Sequence, residues 1–216
     1  MHNLFNIDNM TFDFQGEADF IFCDPIYESL ELGWIDKYWE FLEQDAIFCV
    51  ITDYHSSAEI KIHLSEMKDA NFLNWLVWKN EFGNFRKDRF RQCHDDILLF
   101  SKGKDYKFYP ERVQVPKATA NARGLNPSGR MTKLATSVIT DICLTTTSKE
   151  RVKKSDGHLL NWQKPLALYE RILKPYTDEG DLILDPFMGS GSLGRWSIRN
   201  YRDYVGIEDD PDVFAL

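Results

Sequence analysis

Two almost unbroken apolar runs, Asp19 to Cys23 (DFIFC) and Ala46 to Thr52 (AIFCVIT), constrain this chain more than any other feature. Runs this short and this apolar suit parallel strands covered on both faces, because a sheet face left in water would show alternating polar residues. Helical periodicity follows each of them. Trp34 to Leu42 places Ile35, Tyr38, Trp39 and Leu42 on one face, and Ser56 to Lys68 reads as a second helix. Asn3 to Asp8 reads as a short strand ahead of these elements and Asn71 to Lys79 as one with aromatic sides. Strands alternating with helices specify a layered α/β sheet. A length of 216 residues with 43% hydrophobic content suits one well-cored domain carrying an inserted lobe.

The stretch Leu182 to Ser192 (LILDPFMGSGS) joins a strand to a turn holding Gly189 and Gly191, and Ser192 to Asn200 reads as the helix beyond. Glycines there let the backbone approach a ligand closely, and the helix N-terminus presents unpaired N–H groups to it. A further strand, Tyr204 to Ile207, delivers Glu208 just past its end. An acid at that place can hold the two hydroxyls of a ribose. Taken alone, the stretch reads either as a nicotinamide-dinucleotide loop or as a bland tight turn. A helix over Trp162 to Leu173 precedes it, with Leu166, Tyr169 and Leu173 inward. Asp96 to Lys102 and Tyr106 to Tyr109 read as paired strands about a Gly103 turn.

Net charge is −8, but it is segregated. Lys79 to Gly157 holds 17 Lys and Arg against 9 Asp and Glu, which leaves 9 basic and 25 acidic residues of the chain's 26 and 34 for the remainder. A basic middle third in an acidic protein can face phosphates while the rest keeps it soluble. Residues Pro110 to Gly157 show little periodicity and many Pro, Gly, Ser, Thr and Asn, as expected of an inserted lobe. The four cysteines form no Cys-x-x-Cys pair and the five histidines lack ligand spacing, so no metal is expected. With no long apolar run and no basic-then-apolar leader, the chain reads as cytoplasmic and without a membrane partner.

Chemistry concentrates at Asp24-Pro25-Ile26-Tyr27, at the end of the first apolar strand. In open α/β sheets ligands gather beyond the carboxyl ends of strands, where this turn and the Gly189 turn would both emerge. Asp24 can accept one hydrogen of an exocyclic amino group while the backbone carbonyl of Ile26 accepts the other. Tyr27 offers an aromatic face to a base drawn from its stack.

These residues resemble the amino-methyltransferases of DNA, which use S-adenosylmethionine to methylate adenine or cytosine amino groups. Asp24-Pro25-Ile26-Tyr27 is similar to their catalytic Asp-Pro-Pro-Tyr motif, and Asp185-Pro186-Phe187-Met188-Gly189-Ser190-Gly191-Ser192 to their cofactor loop, Asp-Pro-Phe-x-Gly-x-Gly-Thr. Gln163-Lys164-Pro165 is similar to the family's Gln-Lys-Pro element, and Gly206-Ile207-Glu208 to its acid-bearing strand end. Ile26 departs from the usual Pro, Ser192 from Thr, and His158 to Trp162 from the usual His-Pro-Thr, here two residues longer. The catalytic motif precedes the variable region and the cofactor motif, the circularly permuted order of the beta class.

The resemblance implies a Rossmann-like seven-stranded methyltransferase sheet, circularly permuted and mostly parallel, with one antiparallel strand near Asp96 to Ser101. Residues 1–102 would form the catalytic half, 103–157 a small basic target-recognition region and 158–216 the cofactor half. It further implies that Asp185 and Lys164 bind the methionine amino and carboxylate groups, Glu208 the ribose and Asp8 the adenine side of S-adenosylmethionine, with Phe187, Gly189, Ser190, Gly191 and Ser192 forming the loop. Aspartate at position 24 favours adenine over a cytosine amino target, and the lack of a Pro-Cys nucleophile motif argues against cytosine carbon-5. Double-stranded DNA is the expected partner, through Arg86, Lys87, Arg89, Arg91, Arg112, Lys117, Arg123, Arg130 and Lys133, with Phe82, Phe85 and Phe90 interleaved. The family leaves room for a homodimer and for a restriction-modification setting. Rival readings are a cytosine-amino enzyme, an RNA methyltransferase, a dinucleotide-dependent oxidoreductase and a catalytically silent DNA-binding relative.

Overall fold

A computed structural model describes residues 1–26, 31–80, 87–118, 130–154 and 156–216. The chain runs β1 (His2–Asn6), β2 (Ala18–Cys23), α1 (Gly33–Glu40), β3 (Leu42–Thr52), α2 (Ser57–Glu66), β4 (Ala70–Lys79) and β5 (His94–Lys102). A short 3-10 helix at Pro110–Val113 leads into β6 (Gln114–Pro116), β7 (Thr132–Leu134) and β8 (Val138–Ile139). The chain closes with α3 (Leu166–Leu173), β9 (Leu182–Asp185), α4 (Ser192–Arg199), β10 (Asp203–Glu208) and α5 (Pro211–Phe214). Eight strands form one sheet in the order β1-β10-β9-β2-β3-β5-β4-β8, and β6 pairs with β7 apart from it. Within the large sheet β5 alone runs antiparallel to its neighbours.

Period-two alternation in the two apolar runs sends side chains to both faces, and both faces are covered. Phe20, Phe22, Ile47, Cys49 and Ile51 pack with Leu168, Tyr169, Ile172 and Leu173 of α3 and with Leu193 and Trp196 of α4. Ile21, Cys23, Phe48 and Val50 pack on the other side with Trp34, Ile35, Tyr38 and Trp39 of α1 and with Ile60 and Leu64 of α2. Burying each such aliphatic or aromatic side chain stabilises the fold by roughly 1.5–3 kcal/mol relative to leaving it in water. The buried thiols of Cys23 and Cys49 are free, one on each face.

Leu42, expected on the helical face, opens β3 instead, and the structure departs from the sequence reading in three further places. The sheet has eight strands rather than seven, because Val138–Ile139 of the expected insert adds β8 in parallel to β4. That segment is built into the body: Ile139, Ile142 and Leu144 are buried, and the Trp78 indole N–H donates to the Ile142 carbonyl at 2.9 Å. Tyr106 to Tyr109 forms no strand, since β3 and β4 occupy both edges of β5 and leave no ladder for a hairpin. The helix expected from Trp162 begins only at Leu166, with Pro165 as its N-cap. A proline there biases Lys164 away from helical geometry.

Candidate functional site

All the parallel strands end at one edge of the sheet, and antiparallel β5 begins there. Phe20 and Ile21 of β2 lie beside Ile183 and Leu184 of β9, so the turns at Asp24 and Asp185 emerge side by side. Next to β9, β10 delivers Glu208, and next to that β1 leads to Asp8 two residues past its end. On the other flank Thr52 closes β3 opposite Asp96, while Asp95 and Asn80 reach the same edge from β5 and β4.

The glycine turn is held from beneath. Gly189 and Gly191 adopt left-handed φ of +53° and +65°, and a side chain added at Gly191 would meet nothing within 4 Å. The backbone there faces open space, as a cradle for a ligand requires. The Met188 N–H donates to the Ile207 carbonyl at 2.8 Å, and the Ser192 hydroxyl is hydrogen-bonded to the Tyr169 hydroxyl at 3.0 Å and takes the Ser190 hydroxyl at 3.2 Å. Phe187 packs edge-on against Trp34. Glu208 accepts from the Gly189 N–H at 2.8 Å and from the Asp210 N–H at 3.0 Å, and burial raises its carboxyl above the ordinary range. Asp8 accepts from the Met10 N–H at 2.6 Å.

Asp185 is the anchor of this turn. It is 2% exposed, takes the Tyr204 hydroxyl at 2.9 Å and the Phe187 N–H at 3.2 Å, and burial pushes its pKa up to about 7. The charges of Asp24 and Glu208 push it the same way. Tyr204 reaches it because two glycines clear a slot. A Cβ at Gly194 would lie 2.8 Å from the Tyr204 ring, and one at Gly206 would lie 2.7 Å from the ring, its hydroxyl and the Met188 sulfur.

Lys164, 7% exposed, points its ammonium at Asp24, with Nζ 2.8 and 2.6 Å from the two carboxylate oxygens. Its neighbours fix its backbone. The Gln163 side chain accepts from the Val152 N–H and donates to the Glu150 carbonyl, both at 2.8 Å, while Glu150 caps α3 through the Leu166 N–H at 2.9 Å. Pro25 is half-buried and the Ile26 side chain is 77% exposed. Tyr27 lies outside the described residues.

Sequence reasoning missed several polar groups of this edge. Burial raises the Asp95 carboxyl, with Lys164 opposing the shift and Asp24 adding to it. Thr52 Oγ1 and Asn80 Oδ1 are buried and have no hydrogen-bond partner among the described residues. Trp162, half-exposed, stands over the loop, 3.8 Å from where a Gly189 side chain would begin. Only its adjacency to Gln163 could have marked it. Tyr204 had no local signal beyond the two glycines.

The basic candidates scatter. Arg86 and Arg123 lie outside the described residues, as do Phe82 and Phe85. Lys87, Arg89, Arg91, Arg130 and Lys133 are at the surface with Phe90, which is 100% exposed, and Lys117 is half-buried. Arg112 is turned onto the body. Its guanidinium donates to the Thr177 carbonyl at 2.8 Å, pairs with Asp178 at 2.9 Å and stacks on Tyr109. Among the described residues no group of three or more His, Cys, Asp or Glu could hold a metal, and no helix is long and apolar enough to cross a membrane.

Comparison with known proteins places this geometry. A family model for N6/N4 methyltransferases, described as DNA methylase, matches residues 18–216. Type II methyltransferase M.HpaI of Haemophilus parainfluenzae is 28% identical over 195 residues, covering 85% of this chain and 55% of that protein. Type II methyltransferase M1.MboII of Moraxella bovis is 28% identical over 192 residues, covering 81% of this chain and 72% of its own length. The chain thus spans a little over half the length of the first relative. Among solved structures, the M1.HpyAVI–SAM complex superposes with a TM-score of 0.72 at 21% identity over 100% of this chain and 97% of that one. The cytosine-N4-specific PvuII DNA methyltransferase superposes with a TM-score of 0.69 at 16% identity, over 99% and 84%.

Proposed function

Because the chain belongs to the N6/N4 DNA methylase family, we propose that it transfers a methyl group from S-adenosylmethionine to an exocyclic amino group of a base flipped out of double-stranded DNA, with adenine as the target. The observation that carries this reading is the placement of Asp24 beside the Asp185 turn on adjacent parallel strands, a charged acceptor next to a ligand cradle.

The residues present fit the cofactor. Open space over Gly191 leaves room for its approach, Glu208 and Asp8 near the ends of the adjacent strands β10 and β1 would hold its ribose and adenine, and a rim rich in carboxylates suits a cation. Bound S-adenosylmethionine supplies a methyl made electrophilic by its positively charged sulfonium. Asp24 then accepts one amino hydrogen, and the Ile26 carbonyl accepts the other. Together they aim the nitrogen lone pair along the transfer axis, a task of alignment more than of nucleophile activation. As positive charge develops on that nitrogen, the Asp24 carboxylate stabilises it and is the acceptor for the departing proton. Tyr27 stacks the base. Thr52, Asn80 and Asp95 supply polar walls for its edge, and the exposed Lys87, Arg89, Arg91, Arg130 and Lys133 meet phosphates.

The PvuII likeness keeps a cytosine amino target as the second reading. One experiment separates the two: express the chain in cells free of DNA methylation, then sequence the DNA for modified bases, with Asp24→Ala as control. N6-methyladenine that vanishes in the variant supports the proposal. N4-methylcytosine moves the target to cytosine, and undiminished methylation by the variant refutes the role of Asp24.

A further inference from the structure

We propose that Lys164 is a positioning residue for Asp24, fixing the amino acceptor rather than gripping the cofactor's carboxylate; this rests on the methyl-transfer reading above. The ammonium donates to both Asp24 oxygens, at 2.8 and 2.6 Å, and to the Trp162 carbonyl at 3.4 Å. Both side chains are largely withdrawn from water, at 8% and 18% exposure.

The aim of Lys164 is set by its flanks. Gln163 is fastened to the backbone of Glu150 and Val152, and Pro165 starts α3, so the intervening residue has little freedom to redirect its stem. Its charge also pulls against the burial that raises Asp95, so one ammonium serves two carboxyl groups at the sheet edge. Moving it to a cofactor carboxylate would take the ammonium away from a largely buried Asp24 carboxylate, which is costly.

The pair fixes the acceptor at both oxygens. A carboxylate offers roughly four lone-pair sites, and the ammonium meets one on each oxygen. Held at both oxygens, the carboxylate plane cannot rotate, and the direction in which it meets an amino N–H is fixed. Alignment of this kind is worth about 10²-fold per ångström of misplacement.

The test compares wild type, Lys164→Met, Lys164→Arg, Asp24→Asn and the double variant Asp24→Asn/Lys164→Met. Three readouts are needed: single-turnover transfer to DNA, the Kd for S-adenosylmethionine, and the melting temperature. Lys164→Met should lower the transfer rate about 10²-fold while the cofactor Kd moves less than about threefold. Lys164→Arg, which keeps the charge, should recover at least about a tenth of the wild-type rate. Adding Lys164→Met to Asp24→Asn should cost almost nothing further, because a residue acting through another shows no effect once the other is gone. The two substitutions should be non-additive in melting temperature as well.

A cofactor Kd raised about tenfold or more by Lys164→Met, with losses that add to those of Asp24→Asn, would return Lys164 to the cofactor and overturn the proposal. If Lys164→Met does not fold, Lys164→Gln, which keeps a hydrogen-bond donor, takes its place. Should the wild type bind cofactor yet transfer nothing to DNA, the methyl-transfer reading falls. The Kd and the melting-temperature cycle would still decide which group Lys164 serves.

Discussion

Two Asp-Pro turns lie side by side at the edge of this sheet, and the protein treats them in opposite ways. Asp24-Pro25-Ile26 ends β2 with its carboxylate against the Lys164 ammonium and its third side chain in water. Asp185-Pro186-Phe187 ends β9 with its carboxyl interred, met by a hydroxyl and a backbone amide, and its third side chain packed on Trp34. The first turn presents an acid and the second spends one to hold a loop. Residues remote in sequence decide which is which: Lys164 for Asp24, and Tyr204 in the slot left by Gly194 and Gly206 for Asp185.

Removing each acid should break a different step. Asp24→Ala is expected to lower single-turnover methyl transfer by about 10²–10³-fold, equivalent to roughly 3–4 kcal/mol, with cofactor affinity retained. Asp185→Asn should weaken cofactor binding by loosening the loop. Titration calorimetry and labelled-cofactor kinetics on both variants check this, and loss of the same step in both would erase the distinction between the turns.

The buried acid should also leave a mark on stability. Asp185 has its pKa raised from 3.8 to about 7, so the folded state holds its proton more tightly than the unfolded one. The resulting stabilisation is complete below the ordinary value and is lost as pH rises through about 7. At about 1.36 kcal/mol per unit, the loss between pH 4 and pH 8 amounts to at most about 4 kcal/mol. Urea unfolding of wild type against Asp185→Asn should show a difference that grows across that window in favour of the variant. A constant difference would mean that the buried carboxyl is satisfied as an anion. Gly206→Ala attacks the same arrangement from the other side. Its Cβ would fall 2.7 Å from Tyr204 and Met188, so it should cost about 1–3 kcal/mol by overpacking.

How much of this was legible in the sequence follows from the range of each interaction. The apolar runs fixed β2 and β3, and strand, turn and helix at Leu182 to Arg199 could be read locally, because period and glycine placement are local signals. Motif order brought Asp24, Asp185 and Glu208 to one rim. The ion pair between positions 164 and 24, 140 residues apart, had no local signature, and family likeness pointed Lys164 elsewhere. Arg112 was legible as a charge but not as a tie to Thr177 and Asp178. The eighth strand is two residues long, too short for any periodicity to show.

The third residue of each turn offers the smallest and sharpest contrast. Phe187 meets Trp34 with ring centroids 5.3 Å apart, so Phe187→Ala should destabilise by about 1–3 kcal/mol and disturb the loop it anchors. Ile26 is 77% exposed and is proposed to act through its backbone carbonyl, which alanine retains. Ile26→Ala should therefore shift stability by no more than about 0.5 kcal/mol and the transfer rate by less than about threefold. A large loss of rate with unchanged stability would mean that the Ile26 side chain touches the base. The departure from proline at this position would then be a specificity device rather than a tolerated substitution.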